Sequence, residues 1–165
     1  MHNILLMKKT EQLEKLSSSL GFTSTEFVAP ITAKTPKELL NALKIKGLKI
    51  YIAHDEKMLR FALEKTNVDI VYGMENINPR DHTHYARGGL DQITCKIAAS
   101  RGKTLAFSFS EILHSKNKGK LLGRIILNLK LCRKYKVKTI FGNFSTKKEE
   151  MRSKKDLAAF RRILT

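Results

Sequence analysis

The residues whose types and spacing could do chemistry lie in three places. The first is Arg80-Asp81-His82-Thr83-His84, where two imidazoles two residues apart could converge on a metal. His54-Asp55 could join them from another strand end, whereas His2 and His114 are not placed to do so. A hydrolytic metal centre needs more carboxylate or histidine ligands than these, so the segment reads first as a solvated polar loop. Neither a metal nor another cofactor is expected. No GxSxG elbow occurs, Cys132 falls inside a helical pattern, and Asp55 and Glu75 are the only carboxylates near strand ends. The chain does not read as a self-sufficient catalyst.

The second and third places are basic. Lys116, Lys118, Lys120 and Arg124 open a long helical pattern. Ser145, Thr146, Lys147, Lys148, Arg152, Lys154 and Lys155 lead into the last one. Hydroxyls beside cations at the mouth of a helix suit phosphate. Glu111 is the only nearby acid, so ion pairing is not expected to absorb the first group's charge. Lys116, Lys118, Lys120, Arg124, Lys147, Lys148, Arg152 and Lys155 are therefore the expected nucleic-acid phosphate contacts. Aromatic residues that could stack on bases are few here (Phe141, Phe144, Tyr135), which favours phosphate and shape contact over base reading.

Charge distribution supports this. The chain carries +17 overall; residues 1–95 hold 13 basic and 11 acidic side chains, residues 96–165 hold 19 and 4. The excess belongs to the C-terminal part. A polyanion neutralises such a concentration and releases counterions, the source of affinity for nucleic-acid binders. Lysine bias in a proteome would bring matching glutamates, which residues 96–165 lack.

Elements that could position these residues alternate along all 165 residues, read as one domain. Apolar runs at Ile4–Met7, Glu26–Ile31, Leu48–Ala53, Val68–Tyr72, Thr104–Phe109 and Thr139–Gly142 predict six strands. Helices are predicted between them, with Thr10, Thr35 and Asp55 as N-caps and Pro36 in the first turn. The longest is expected over Gly119–Tyr135, with Leu122, Ile125, Ile126, Leu129 and Cys132 facing the sheet and Arg124 and Asn128 on its flanks. The last runs from about Lys154 to Ile163. Strict alternation argues for a parallel sheet with outer helices and right-handed crossovers. Both basic groups then follow strands and share the sheet's C-terminal edge. The chain is too short for eight units, so the expected fold class is α/β, a shortened, incomplete TIM-barrel-like fold, with a doubly wound sheet as the competitor. Neither GxGxxG nor GxxxxGK[ST] follows any strand. Cys95 and Cys132 are expected as buried thiols of a reducing compartment. No apolar run could span a bilayer and the N-terminus lacks a signal-peptide pattern, so a cytoplasmic location is expected, without a membrane partner.

Four segments then carry a resemblance: VDIV from Val68, ARGGLDQITCKIAASRGKTLAFSFSEIL, RIILNLKLCRKYKV and MRSKKDL. In combination they resemble archaeal ribonuclease P protein component 3, a barrel-like family related to polymerase and histidinol phosphatase (PHP) domains. Gly89-Leu90-Asp91 stands at the family's short turn into a helix, and Phe107-Ser108-Phe109 at its GFS-like strand. Arg124 and Arg133–Val137 match the long helix and its exit, and Arg152 and Asp156-Leu157 the family's R-x-P-x-DL ending. Lys154 replaces the proline of that ending, and Asn143-Phe144-Ser145 replaces a small-residue turn. Where the family continues past Leu157 this chain soon ends, which predicts an incomplete barrel or an edge closed by a partner.

The resemblance implies a non-catalytic protein subunit of ribonuclease P, whose RNA removes the 5′ leader from precursor tRNA. Implied partners are ribonuclease P RNA, ribonuclease P protein component 2 and other protein subunits, with precursor tRNA contacted indirectly. Two rivals remain at this point: a metal-dependent PHP-type phosphoesterase using His54, His82 and His84, and a general RNA-binding module.

Overall fold

A computed structural model describes residues 3–78, 80, 81, 84, 85 and 87–164. The order is β1 (Asn3–Leu5), α1 (Glu11–Ser19), β2 (Thr25–Phe27), α2 (Pro36–Ala42), β3 (Ile50–Ile52), α3 (Glu56–Lys65) and β4 (Ile70–Tyr72). It continues with α4 (Gln92–Ser100), β5 (Thr104–Ser108), α5 (Phe109–His114), α6 (Lys118–Lys134), β6 (Lys138–Gly142) and α7 (Lys154–Leu164). The expected caps are in place. Thr10, Thr35 and Asp55 accept from the amides of Leu13, Glu38 and Met58 at 3.3, 3.3 and 2.8 Å. Each satisfies an amide that the first helical turn leaves open.

All strand pairing is parallel. β3-β4-β5-β6 form one sheet and β1-β2 another. The two are joined on both sides. Ile31 pairs with β3, donating to Ile50 O at 2.7 Å and accepting from Ile52 N at 3.0 Å. Past β6, Phe144 N donates to Ile4 O at 3.0 Å and Ser145 O accepts from Leu6 N at 2.9 Å. Among the described residues only these single pairings, made by residues just beyond the regular strands, link the two sheets, which otherwise stay separate.

Side chains on the strands alternate between two cores. Ile4, Ile50, Ile70, Tyr72, Ala106 and Phe144 form one cluster, with Val28 and Ile140 against it, so each strand or its extension contributes. Tyr51, Val71, Leu105, Phe107 and Phe141 face the helices, against Leu39, Leu59, Leu63, Ile125 and Cys132. Burial on both faces is why the strands read as continuous apolar runs.

Two boundaries differ from expectation. The sequence pattern predicts a helix from about Gly88 to Arg101, but α4 starts at Gln92, because Asp91 caps it through a reciprocal pair with Thr94. Gly89 makes the preceding turn at φ +88°, where a Cβ would run into the carbonyl of Met74. The strand expected to reach Phe109 stops at Ser108, whose hydroxyl caps the unexpected short helix α5. Among the described residues no helix is long and apolar enough to cross a membrane.

Candidate nucleic-acid interface

The loops following β5 and β6 leave the same edge of the sheet, and a buried carboxylate ties them together. Glu150 is 5% exposed. It accepts from Ser110 Oγ at 2.7 Å and from the amides of Thr146 and Lys147 at 2.9 and 3.3 Å; its Oε1 lies 2.7 Å from His114 Nε2. Burial works against ionisation, but the bonds from Ser110, His114 and the two amides outweigh it and bring the carboxyl down to about 2. Glu150 therefore stands as a carboxylate that fastens the loop after β6 to α5.

A second polar knot anchors that loop from below. Asn143 is fully buried; it donates to Asn3 Oδ1 at 3.0 Å and Arg152 O at 3.2 Å, and accepts from Arg152 N at 2.8 Å. Asn3 in turn donates to Ser17 Oγ at 2.9 Å. Phe144 takes φ +46°, which turns the chain so that its ring stacks on Tyr72 at 5.3 Å between centroids. The Asn143-Phe144-Ser145 turn is thus a structural clamp.

What this scaffold exposes is positive. Lys116 and Lys118 stand out before and at the start of α6, which Asn117 caps through the Lys120 amide at 3.0 Å. Lys147, Lys148 and Lys155 are exposed, and Lys148 has only a 4.0 Å approach to Glu149. Arg152 is half-buried, donates to the carbonyls of Glu149 and Met151, and lies 5.7 Å from the centre of the Phe109 ring. Its guanidinium is oriented by these contacts at the rim. Ser145 and Thr146 differ from expectation. Thr146 Oγ1 faces Glu150, and Ser145 is buried with its hydroxyl unpartnered among the described residues, so neither is presented to an outside phosphate.

Arg124 requires a correction. It is 5% exposed, not on the outer flank. Nε and Nη2 donate to Asp81 Oδ1 at 3.1 and 2.6 Å, and Nη1 donates to Glu75 O at 2.9 Å. Three of its donors are spent inside the protein, which removes it from phosphate contact. Asp81 also meets Lys120 Nζ at 3.2 Å, so the charge of α6 does have an ion-pair partner, one remote in sequence. Lys120 stays partly open to solvent at the rim. The Arg87 amide, then Arg124 and Lys120, hold Asp81 well below the usual carboxylate range against a desolvation penalty. Asn128, also expected outside, is buried and donates to Gly88 O at 2.7 Å. α6 therefore packs through Leu121, Ile125, Leu129 and Cys132, with Arg124 and Asn128 pinning the segment between β4 and α4. The sequence signal that could have found this was Asp81 itself, the acid in an otherwise solvated-looking loop.

Glu75 sits under the same edge. It is fully buried, and neither carboxylate oxygen has a hydrogen-bond partner among the described residues. Burial pushes it up to about 7, a backbone amide opposes this, and Glu111 adds to it. Among the described residues no three His, Cys, Asp or Glu side chains are grouped to hold an ion. His54 and His84 are exposed, and His82 lies outside the described residues. Cys95 and Cys132 are both buried free thiols.

No family model matches the chain, and no curated protein matches it. Among solved structures, a chain of a cryo-EM structure of archaeal ribonuclease P with mature tRNA has a similar fold. The TM-score is 0.72 at 18% identity, covering 99% of this chain and 74% of that one. At that identity the likeness establishes that the two share a fold.

Proposed function

We propose that this chain is a protein subunit of ribonuclease P, of the component 3 class. It binds the catalytic RNA through phosphate contacts and supports removal of the 5′ leader from precursor tRNA without contributing catalytic residues. The contacts are Lys116, Lys118, Lys120, Lys147, Lys148, Arg152 and Lys155. Ribonuclease P protein component 2 and other protein subunits are its protein partners, precursor tRNA is reached through the RNA, and the assembly works in the cytoplasm. The fold is a shortened TIM-barrel-like relative of PHP domains, with six strands.

The observation that carries this reading is the Glu150 latch, which sets two exposed lysine-bearing loops side by side on one edge. It is supported by the fold shared with a chain of archaeal ribonuclease P and by the concentration of positive charge in residues 96–165. Fixed cations at one strand edge suit neutralisation of a nucleic-acid backbone.

The test is binding of the purified chain to the ribonuclease P RNA transcribed from its own genome, across a salt series. Lys147→Ala/Lys148→Ala should weaken binding and reduce the slope of log K against log salt by about 1 to 2, the value for one to two lost phosphate contacts. Salt-independent affinity, or an unchanged slope in this variant, rejects the reading. Equal affinity for unrelated structured RNA assigns the chain to general RNA binding instead.

A further inference from the structure

The interface above accounts for one end of α6, yet a second run of exposed cations lies at the other. Residues 112–148 contain no Asp or Glu. Within them Lys130, Arg133, Lys134, Lys136 and Lys138 are all exposed. α6 joins two parallel strands, so it starts at their C-terminal edge and ends at their N-terminal edge. Its 17 residues put the two ends about 25 Å apart. These lysines therefore cannot share a phosphate with Lys116 or Lys147.

Three features distinguish this second face from ordinary solvated charge. Among the described residues Lys96, Lys130, Lys134, Lys136 and Lys138 form no ion pair with an acid. Cations in the last turn complement the helix dipole, which would explain Arg133 and Lys134 but not Lys96, Lys136 or Lys138. Lys136 also occupies a position that glycine ordinarily takes. Val137 N reaches back to Cys132 O at 2.9 Å and Lys136 N to Arg133 O at 3.2 Å, closing the helix with Lys136 at φ +56°. A lysine there accepts backbone strain for its charge. Tyr135 gathers the set: the ammonium groups of Lys134 and Lys96 lie 5.6 and 5.9 Å from its ring centre.

We infer that the N-terminal strand edge, formed by Lys96, Lys130, Lys134, Lys136 and Lys138 around Tyr135, is a second RNA-backbone contact surface. The chain would then brace two segments of one RNA on opposite ends of α6. Exposed ammonium groups spread over this edge suit a phosphate backbone rather than an unpaired base. This inference rests on the RNA-binding function proposed above.

The experiment compares three full-length proteins on the cognate ribonuclease P RNA: the natural chain, an upper-edge variant and a lower-edge variant. The upper-edge variant is Lys116→Ala/Lys118→Ala/Lys147→Ala/Lys148→Ala. The lower-edge variant is Lys130→Ala/Lys134→Ala/Lys136→Gly/Lys138→Ala, with glycine chosen to suit the positive φ. Circular dichroism establishes that each is folded. Salt-series binding and hydroxyl-radical footprinting are then read together. Each variant should lower the salt slope by about 2 to 3 and uncover a different RNA segment. If only the upper-edge variant changes slope and footprint, the second surface is refuted and the ribonuclease P reading stands. If neither changes them, both fall. Unchanged RNA binding by the lower-edge variant with lost binding to polyglutamate would reassign the face to an acidic protein and overturn the inference.

Discussion

Glu75 gives the sharpest test of how the strand edge is built. Its carboxyl is fully buried without a hydrogen-bond partner among the described residues, and burial raises it from 4.5 to about 7. The folded state therefore holds this proton more tightly than the unfolded chain does. By linkage, the contribution of this group to stability is greatest below about pH 4.5 and declines as pH rises toward 7, where the folded group must also ionise. A shift of this size corresponds to about 3 kcal/mol. Glu75→Gln keeps the shape and removes the titration. In urea unfolding at constant ionic strength, the stability of Glu75→Gln relative to the natural protein should grow by about 2.5 kcal/mol from pH 5 to pH 8. Histidines and other carboxylates titrate in both proteins and cancel in the comparison. A gap that stays constant over that pH range would refute the burial argument. It would mean that the carboxylate finds solvent or a cation at the edge.

Two further outcomes follow from the polar contacts. Arg124→Met should destabilise the fold by about 2 kcal/mol, because Glu75 O loses its donor and Asp81 its main partner, yet leave the salt slope of RNA binding unchanged; a slope reduced by one would return Arg124 to the phosphate contacts. Glu150→Ala should free the loop after β6 and raise tryptic cleavage at Lys147 and Lys148 about tenfold, a change worth roughly one hydrogen bond. With the carboxyl lowered to about 2, the latch holds above pH 4.5 and weakens as pH falls toward 2. Amide exchange at Thr146 should follow that course, and exchange protection indifferent to pH in that range would count against it.

Periodicity and capping residues fixed a good deal of this protein in advance. Thr10, Thr35 and Asp55 cap helices wherever they appear, because the amide they satisfy is three residues away in the same chain. The six apolar runs became six parallel strands, because burial on both faces leaves no polar position to hide the pattern. The exposed lysines of the two loops were legible for the same local reason: nothing adjacent neutralises them. Tertiary structure alone decided the partners of Arg124 and Asn128. Helical periodicity counts both as polar, and only the approach of Asp81, Glu75 and Gly88 from 40 to 49 residues away makes their burial tolerable. It likewise decided that Thr146 turns inward, since Glu150 had to be placed before its donors could be known. The two edges of the sheet were joined by single pairings at Ile31 and Ser145, too short to leave a strand signal. Sequence determined which residues are apolar, capping or charged; the fold determined which charges are spent on the protein itself and which are left for a partner.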